Sequence, residues 1–322
     1  MTNDDPTLSA LHASRRKFLE LVDTIRPDLH RYCARMTGSI ADGEDVVQDT
    51  LARAYYALSQ LDELPALRPW LFRIAHHRAI DHLRRYDRRM VESLDVVESL
   101  VEAPSSDPEE ARATEEAVRA AITRFVELAP AQRSCVVLKD VLGHSIDEIA
   151  GLLEMTEPAV KAALHRGRAR LRRPSAPAAE PPRPTASPVV TRYAALFNAR
   201  DWDGVRAMLA DDVRLDLVSR LQRAGRRAVG SYFTNYDAAH DWWLVPAWLD
   251  RREVLAVLRD RRDRQPGYFV ELDLVDHDRI CAIRDYRYVA YIAREAAFTL
   301  PWTAAAEAVQ AEWPPEGDSH NG

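Results

Sequence analysis

The sequence predicts a multidomain chain, two all-α blocks followed by an α+β block, and three observations carry that reading. Glycine supplies only 11 of 322 residues, about half the roughly 7% usual in globular chains, and a glycine-poor chain favours helix. The first two blocks space their apolar residues at helical intervals, whereas the third turns to period-2 alternation. One acidic stretch and one proline-rich stretch separate the three.

The inventory also excludes several classes. No GxGxxG, GxxxxGK, GxSxG or HExxH occurs, so the common nucleotide cradles, nucleophile elbows and helical zinc sites are not expected. Cys33, Cys135 and Cys281 lie far apart with no CxxC, as a reducing compartment tolerates. Neither a metal nor a cofactor is expected. Met1 to Pro6 is polar and acidic, unlike a signal peptide, and no apolar run approaches the roughly 18 residues of a membrane helix. A cytoplasmic location without a membrane partner is therefore expected. The net charge of −6 argues against a surface coated with nucleic acid, although averages hide local basic runs.

Block one covers 12–92. Val47, Leu51, Ala54, Tyr55 and Leu58 fall at i, i+4, i+7, i+8 and i+11, one face of a helix. Asp45, Gln48, Asp49 and Arg53 occupy its polar side. A second helix is expected from about Trp70 to Arg89, with Pro69 in its first turn and Leu71, Ile74, Ala75, Ile80 and Leu83 facing inward. Arg68, Arg73, Arg78, Arg84, Arg85, Arg88 and Arg89 oppose only Asp81 and Asp87, with His76, His77 and His82 interleaved. Bases mixed with rings suit single-stranded or partly unstacked nucleic acid. Trp70 reads as core.

The linker 93–115 sets Asp95, Glu98, Glu102, Asp107, Glu109, Glu110 and Glu115 against Arg112, an acidic, extended tether. Block two, 116–173, carries the strongest local signal. Ser145-Ile146-Asp147-Glu148 is a capping box, and Ile146, Ile149, Ala150 and Leu153 form an apolar stripe. A break at Glu154-Met155 precedes Thr156 as cap and Pro158 in the next first turn, and Val160, Leu164 and Leu171 carry a second stripe. Two short amphipathic helices with a tight break make a helix-turn-helix, though without the glycine often found at the turn. Lys161, Arg166, Arg168, Arg170, Arg172 and Arg173 face no acid after Glu157, a density suited to phosphates.

Six of the 19 prolines fall in 174–188, a semi-stiff spacer. Block three, 189–297, starts helical from Val189 to Leu209. It then offers strands at Val213–Val218, Val254–Leu258, Gly267–Val275 and Ile280–Ala293. Six of the seven tryptophans follow residue 200, which predicts an aromatic interior. The tail is 298–322.

Two basic helical modules on an acidic tether suit two separated stretches of DNA. Asp42-Gly43-Glu44-Asp45-Val46-Val47-Gln48-Asp49-Thr50 resembles the D-A-E-D-hydrophobic-V-Q-E-hydrophobic motif of RNA polymerase sigma factors of the sigma-70 family, extracytoplasmic-function class. Arg68-Pro69-Trp70-Leu71-Phe72-Arg73-Ile74-Ala75 with Ala79-Ile80-Asp81-His82-Leu83-Arg84-Arg85 is similar to that family's W-L-F-R-I-A…A-I-D-x-L-R-R signature. Glu148-Ile149-Ala150 with Val160-Lys161 and Leu164 to Leu171 completes the likeness, which covers about 12–173.

The resemblance implies that block one is region 2 and block two region 4. Asp45, Gln48, Asp49 and Arg53 would then bind the clamp helices of the polymerase β′ subunit, within a core polymerase contacted through β′ and β. Arg68, Arg73, His77, Arg78, Arg84, Arg85 and Arg88, with the loop Leu61–Leu67, would hold the −10 element, where an unstacked base is captured. Thr156, Ala159, Lys161, Ala162, His165, Arg166, Arg168 and Arg170 would meet the −35 element in the major groove. The linker would lie in a basic polymerase channel. The polymerase does the chemistry, so no catalytic residue and no enzyme activity are expected.

Val190 to Asp203 and Met208 to Val213 resemble the start of a SnoaL-like (nuclear-transport-factor-2-like) domain, a cone of helices wrapped by a curved sheet. Asp216, Tyr232, Trp243 and Arg284 are candidate pocket residues, with Arg220, His277 and Tyr286 beside them; His277, between Asp276 and Asp278, is expected in a turn. The expectation is a regulatory, non-catalytic domain that docks on the sigma core. Two other classes fit parts of the chain. A helix-turn-helix repressor with a sensing domain leaves Asp42–Thr50 without a role, and a SnoaL-like isomerase with a DNA-binding appendage needs an acid/base pair in the pocket.

Overall fold

The computed structural model describes residues 18, 20–58, 60, 65–91, 122–173, 186–236, 242–250, 252–260, 263, 265–276, 278–296 and 298. The expected acidic linker, most of the proline-rich spacer, His277 and nearly all of the tail lie outside them. The chain forms two compact units, Met1–Ala176 and Pro177–Gly322.

In the first unit, α1 (Arg26–Thr37) begins with a proline in its first turn and ends at Gly38, whose φ of 79° lets its N–H return to the Ala34 carbonyl. Ser39 Oγ then accepts from the Asp42 N–H at 3.2 Å and opens α2 (Ile40–Leu58). This helix starts ahead of the amphipathic stretch read from Asp45, because Ile40, Ala41 and Gly43 are buried in its first turn. Gly43 stands where the family motif has alanine, and the packing explains it. A Cβ there would lie 2.6 Å from the Ala34 backbone. Buried Arg26 and Glu44 pair at 2.5 Å across the same contact.

Helix α3 (Leu67–Val91) buries Leu71, Phe72, Ala75 and Ala79. Ile74, Ile80 and Leu83, expected to face inward, lie half-buried at the core's margin, as does Trp70. A 3-10 turn at Ile122–Glu127 leads to α4 (Pro130–Val136), which runs on as a π-helical turn at Val137–Val141. Helices α5 (Ile146–Leu153) and α6 (Glu157–Arg172) follow.

The two all-α blocks share a core. One apolar cluster runs from Phe18, Leu29 and Phe72 to Phe125, Val136, Ile149 and Leu171. At the joint, the Tyr32 hydroxyl lies 2.8 Å from His76 Nδ1 and donates to Ser134 Oγ at 3.1 Å. Phe72 meets His144 edge-on at 5.5 Å.

Burial, helped by neighbouring His77, lowers the His76 pKa to about 4, against roughly 6.5 in an unfolded chain. The unfolded state therefore binds the proton first as pH falls. The His76 contribution is complete above about pH 6.5 and is lost toward pH 4, on the order of 3 kcal/mol in all. Urea unfolding followed by helical circular dichroism at pH 7.5 and 4.5 should show a smaller loss for His76→Gln than for the unaltered chain. Equal losses would assign the acid sensitivity elsewhere.

The second unit opens with α7 (Pro188–Asn198), capped by Ser187, and α8 (Trp202–Ala207), capped by Asp201. Its strands are β1 (Leu209–Leu217), β2 (Leu221–Ala224), β3 (Trp243–Leu249), β4 (Arg252–Leu258), β5 (Tyr268–Val275) and β6 (Arg279–Asp285). They form one sheet in the order β2-β1-β6-β5-β4-β3. The β1–β6 pair is parallel and the other pairs antiparallel. Short α9 (Arg226–Gly230) follows β2. Alternation turns Val213, Leu215, Leu217, Leu255, Val257, Tyr268, Val270 and Ile283 into one core with Phe197, Phe233 and Trp242. Phe197 sits edge-on to Trp242 at 4.9 Å and to Tyr236 at 5.0 Å. The unit is thus α+β with an aromatic interior, to which Trp242 and the partly buried Trp202 contribute while Trp302 and Trp313 lie outside the described residues.

Its elements differ from the sequence reading in several places, the unexpected strand β2 and the start of β1 at Leu209 among them. The opening helix is two, broken where Arg200 takes a φ of 60°. Strand β3 escaped notice because Trp243 to Leu249 is uniformly apolar and includes Pro246; the proline is tolerated because β3 is an edge strand. The strand expected over Ile280–Ala293 ends at Asp285, whose Oδ1 accepts from the Arg287 N–H at 2.8 Å, and Arg287–Glu295 is a 3-10 helix.

Cys33 and Cys135 are buried, Cys281 is half-buried, and all three are free thiols. Among the described residues no helix is long and apolar enough to cross a membrane.

Candidate functional site

Burial of Val46, Val47, Thr50, Leu51 and Ala54 fixes which side of α2 faces out. Asp45, Gln48 and Asp49 are half-exposed on that side and Arg53 is exposed, with Arg53 Nε donating to Asp49 Oδ1 at 3.2 Å.

The basic residues of α3 divide into three sets. Arg73, His77 and Arg84 are exposed, and their spacing of i, i+4 and i+11 makes one stripe. Arg78 and Arg85 turn aside into an open cleft of about 520 Å³, which Asp42, Asp45, Val46, Asp49, Arg53 and His82 also line. Arg68 lies on a third side, where it donates to Asp28 at 2.8 Å and rests over the Phe72 ring at 5.3 Å. Arg68 therefore does not join the exposed stripe. The Arg88 side chain and residues 61–64 of the expected −10 loop lie outside the described residues.

The helix-turn-helix forms as its caps dictate. Ser145 Oγ accepts from the Glu148 N–H at 3.1 Å, and Glu148 accepts from the Ser145 N–H at 2.7 Å. The turn is made by Glu154 at a φ of 56°, a left-handed position that costs a side-chain-bearing residue about 1–2 kcal/mol. Thr156 Oγ1 then accepts from the Ala159 N–H at 3.4 Å and opens α6. On α6, Val160, Ala163, Leu164, Gly167 and Leu171 are buried. Gly167 is needed there, since a Cβ would lie 2.7 Å from Val136 Cγ2. Lys161, His165, Arg166 and Arg170 are exposed, and Ala159 and Ala162 half-exposed.

Arg168 is a correction. Its guanidinium is buried against Asp140, with Nε donating at 3.0 Å and NH2 at 2.6 Å to the two carboxylate oxygens. It fastens α6 to the π-helical turn and belongs to the scaffold rather than to the basic face. Arg170, exposed, pairs with Glu127 at 3.7 Å.

In the second unit the candidate pocket residues separate. Asp216 and Arg284 are cross-strand partners on β1 and β6, and Arg284 also faces Glu271 on β5, at 3.8 Å. Trp243 is buried on β3, on the face opposite core residue Leu244. Tyr286 donates to Glu271 at 2.7 Å, and Arg220 lies over the Tyr288 ring at 4.7 Å. Tyr232 instead points into the core, where its hydroxyl donates to Asp285; Tyr236 donates to the same oxygen at 3.0 Å. Asp285 is fully buried, and burial raises its pKa above the usual carboxylate range. The sequence reading missed this centre. Its one local sign was Tyr232 and Tyr236 four residues apart.

Two family models match the chain: "Sigma-70 region 2" over residues 21–89 and "Sigma-70, region 4" over 118–171. The ECF RNA polymerase sigma factor SigG of Mycobacterium tuberculosis is 33% identical over 215 residues, 59% of this chain and 58% of that protein. The chain thus spans little more than half of that relative. SigM of the same organism is 31% identical over 171 residues, 52% of this chain and 83% of SigM. The crystal structure of M. tuberculosis SigJ covers 84% of this chain and 98% of its own at 20% identity, with a TM-score of 0.34.

Proposed function

The chain belongs to the RNA polymerase sigma factors of the extracytoplasmic-function class, and from that membership we propose that it binds core RNA polymerase and directs promoter-specific initiation through a −10 and a −35 element. One observation carries the reading. Within a single compact unit, the polar side of α2, the Arg73/His77/Arg84 stripe and the Lys161/His165/Arg166 side of α6 remain outward while the apolar sides share one core.

In this reading Asp45, Gln48, Asp49 and Arg53 dock on the polymerase clamp helices. The α3 stripe holds the −10 strand by its phosphates, which orient the protein without carrying sequence information. Ala159, Lys161, Ala162, His165 and Arg166 enter the major groove, where Arg and Lys pair with guanine and small side chains leave room for methyl groups. Arg170 adds a phosphate contact. The chain catalyses nothing itself; it supplies specificity to an enzyme.

The shared core has a consequence. Elements 25 base pairs apart are separated by about 85 Å at 3.4 Å per pair, whereas a compact unit of this size has a radius of gyration of about 16 Å. The two blocks must part at the Tyr32–His76–Ser134 joint before both can touch one promoter. The second unit, SnoaL-like in this reading, modulates that activity.

Transcription from fragmented genomic DNA by core polymerase, with 5′ ends mapped, tests the proposal. Start sites obtained only with this chain should share two upstream elements. A chain ending near Pro188 should give altered output, and unchanged output would remove the modulatory role.

A further inference from the structure

The β1–β2 hairpin of the second unit carries positive charge that no neighbouring acid answers. From Arg214 to Arg227 the chain holds five arginines and one acid, and 217–236 holds no acid at all, although the net charge is −6. The one acid, Asp216, is half-buried opposite Arg284, and Arg226 is committed to Asp211 at 3.4 Å. Arg214, Arg220, Arg223 and Arg227 are exposed, and none of the four has an ion pair among the described residues. Arg214 stands opposite Ala224 and Ala282 on the adjoining strands. Arg223 donates to the neutral Ser231 hydroxyl at 3.2 Å, and Arg220 lies over the exposed Tyr288 ring. Elsewhere in this unit Arg206, Arg279 and Arg284 meet acids at 2.8, 2.7 and 3.8 Å.

We propose that this arginine edge holds the sugar–phosphate backbone of duplex DNA, a contact that reads no sequence. This rests on the function proposed above, which brings the chain to promoter DNA. Strand β2 is the outermost of the sheet on this side. Its four residues extend about 13 Å at about 3.3 Å each, the axial length over which one strand of a duplex presents about four phosphates. Arg220 stands just before β2, Arg223 within it and Arg227 on α9 after it, with Arg214 alongside on β1. Each guanidinium can meet a phosphate through two parallel N–H···O bonds. The Tyr288 ring supports Arg220 without neutralising it. An acidic protein surface is the other anion that such an edge could meet, but protein surfaces intersperse both signs, whereas a duplex presents one sign throughout.

Fluorescence anisotropy of the full chain with a labelled, mixed-sequence duplex, without polymerase and from about 50 to 200 mM salt, tests this. The triple variant Arg220→Gln, Arg223→Gln, Arg227→Gln should bind about tenfold weaker near 100 mM salt, with a log–log salt slope shallower by about 2.7. Arg227→Gln alone, which removes no described contact, should shallow the slope by about 0.9. Arg192→Gln, Arg252→Gln, Arg294→Gln makes the same charge change on α7, β4 and the 3-10 helix, and should move the slope by less than about 1. Unfolding midpoints of both triples should match that of the unaltered chain. Unchanged duplex binding in the hairpin triple, or equal slope changes in the two triples, overturns the proposal. Weaker polymerase binding with duplex binding intact would place an acidic protein on the edge and overturns it too. Failure of the unaltered chain to bind polymerase would instead overturn the function on which it rests, and the polymerase-free measurement keeps the two apart.

Discussion

Replacing Arg133 with alanine should cost the first unit about 3 kcal/mol or more and loosen the joint between its two helical blocks. The side chain is 4% exposed. Its guanidinium donates to the Met36 carbonyl near the end of α1 and, at 3.0 Å each, to the Val126 and Leu128 carbonyls ahead of α4. Truncation leaves three acceptors without this donor where water has little access, at about 1–3 kcal/mol for each group left unsatisfied. Arg133→Lys should recover part of the loss, because one ammonium cannot reproduce a planar fork that spans two chain segments. Chemical unfolding followed by circular dichroism checks this. A midpoint unchanged in Arg133→Ala would show that apolar burial alone joins the blocks.

The second large effect falls on assembly. Asp45→Ala together with Gln48→Ala should weaken binding to core polymerase at least a hundredfold while leaving the unfolding midpoint nearly unchanged. Both side chains stand half-exposed on the outer side of α2, where alanine suits the helix. A residue near the centre of an interface costs about 2 kcal/mol or more on truncation, roughly thirtyfold in affinity. Neighbours on one face do not add fully, hence the lower figure. Surface-immobilised polymerase titrated with the double variant gives the answer, and a loss below threefold would move the docking face off α2.

How much of this was legible in the sequence follows from the range of each interaction. Helix α5 and its turn were readable because every determinant lies within four residues: Ser145 with Glu148, the Ile146 and Ile149 stripe, Thr156 with Ala159. The outward side of α2 was readable for the same reason. Arg168 was misassigned because its partner Asp140 lies 28 residues upstream, and a run of arginines gives no sign of which one turns inward. Arg78 looked like its neighbours until Asp49, 29 residues away, claimed it. The shared core was hidden still further, since Tyr32 and Ser134 are 102 positions apart.

In the second unit the limit is set by alternation. Period 2 found the buried strands β4 and β5 but could not say which face is covered, so Asp216 and Tyr232 were grouped although they lie on opposite sides of β1. The buried Asp285 centre depends on β6 ending where the Arg287 N–H turns back. That turn has no glycine or proline to announce it.

The role proposed for this chain is to supply specificity to a polymerase that lacks it. Size-exclusion chromatography of the purified full chain with micromolar sigma-free core polymerase measures this directly. The two should leave the column together, one copy of the chain per enzyme, and Asp45→Ala with Gln48→Ala should separate them. Elution of the unaltered chain at its own volume, apart from the polymerase, would contradict it.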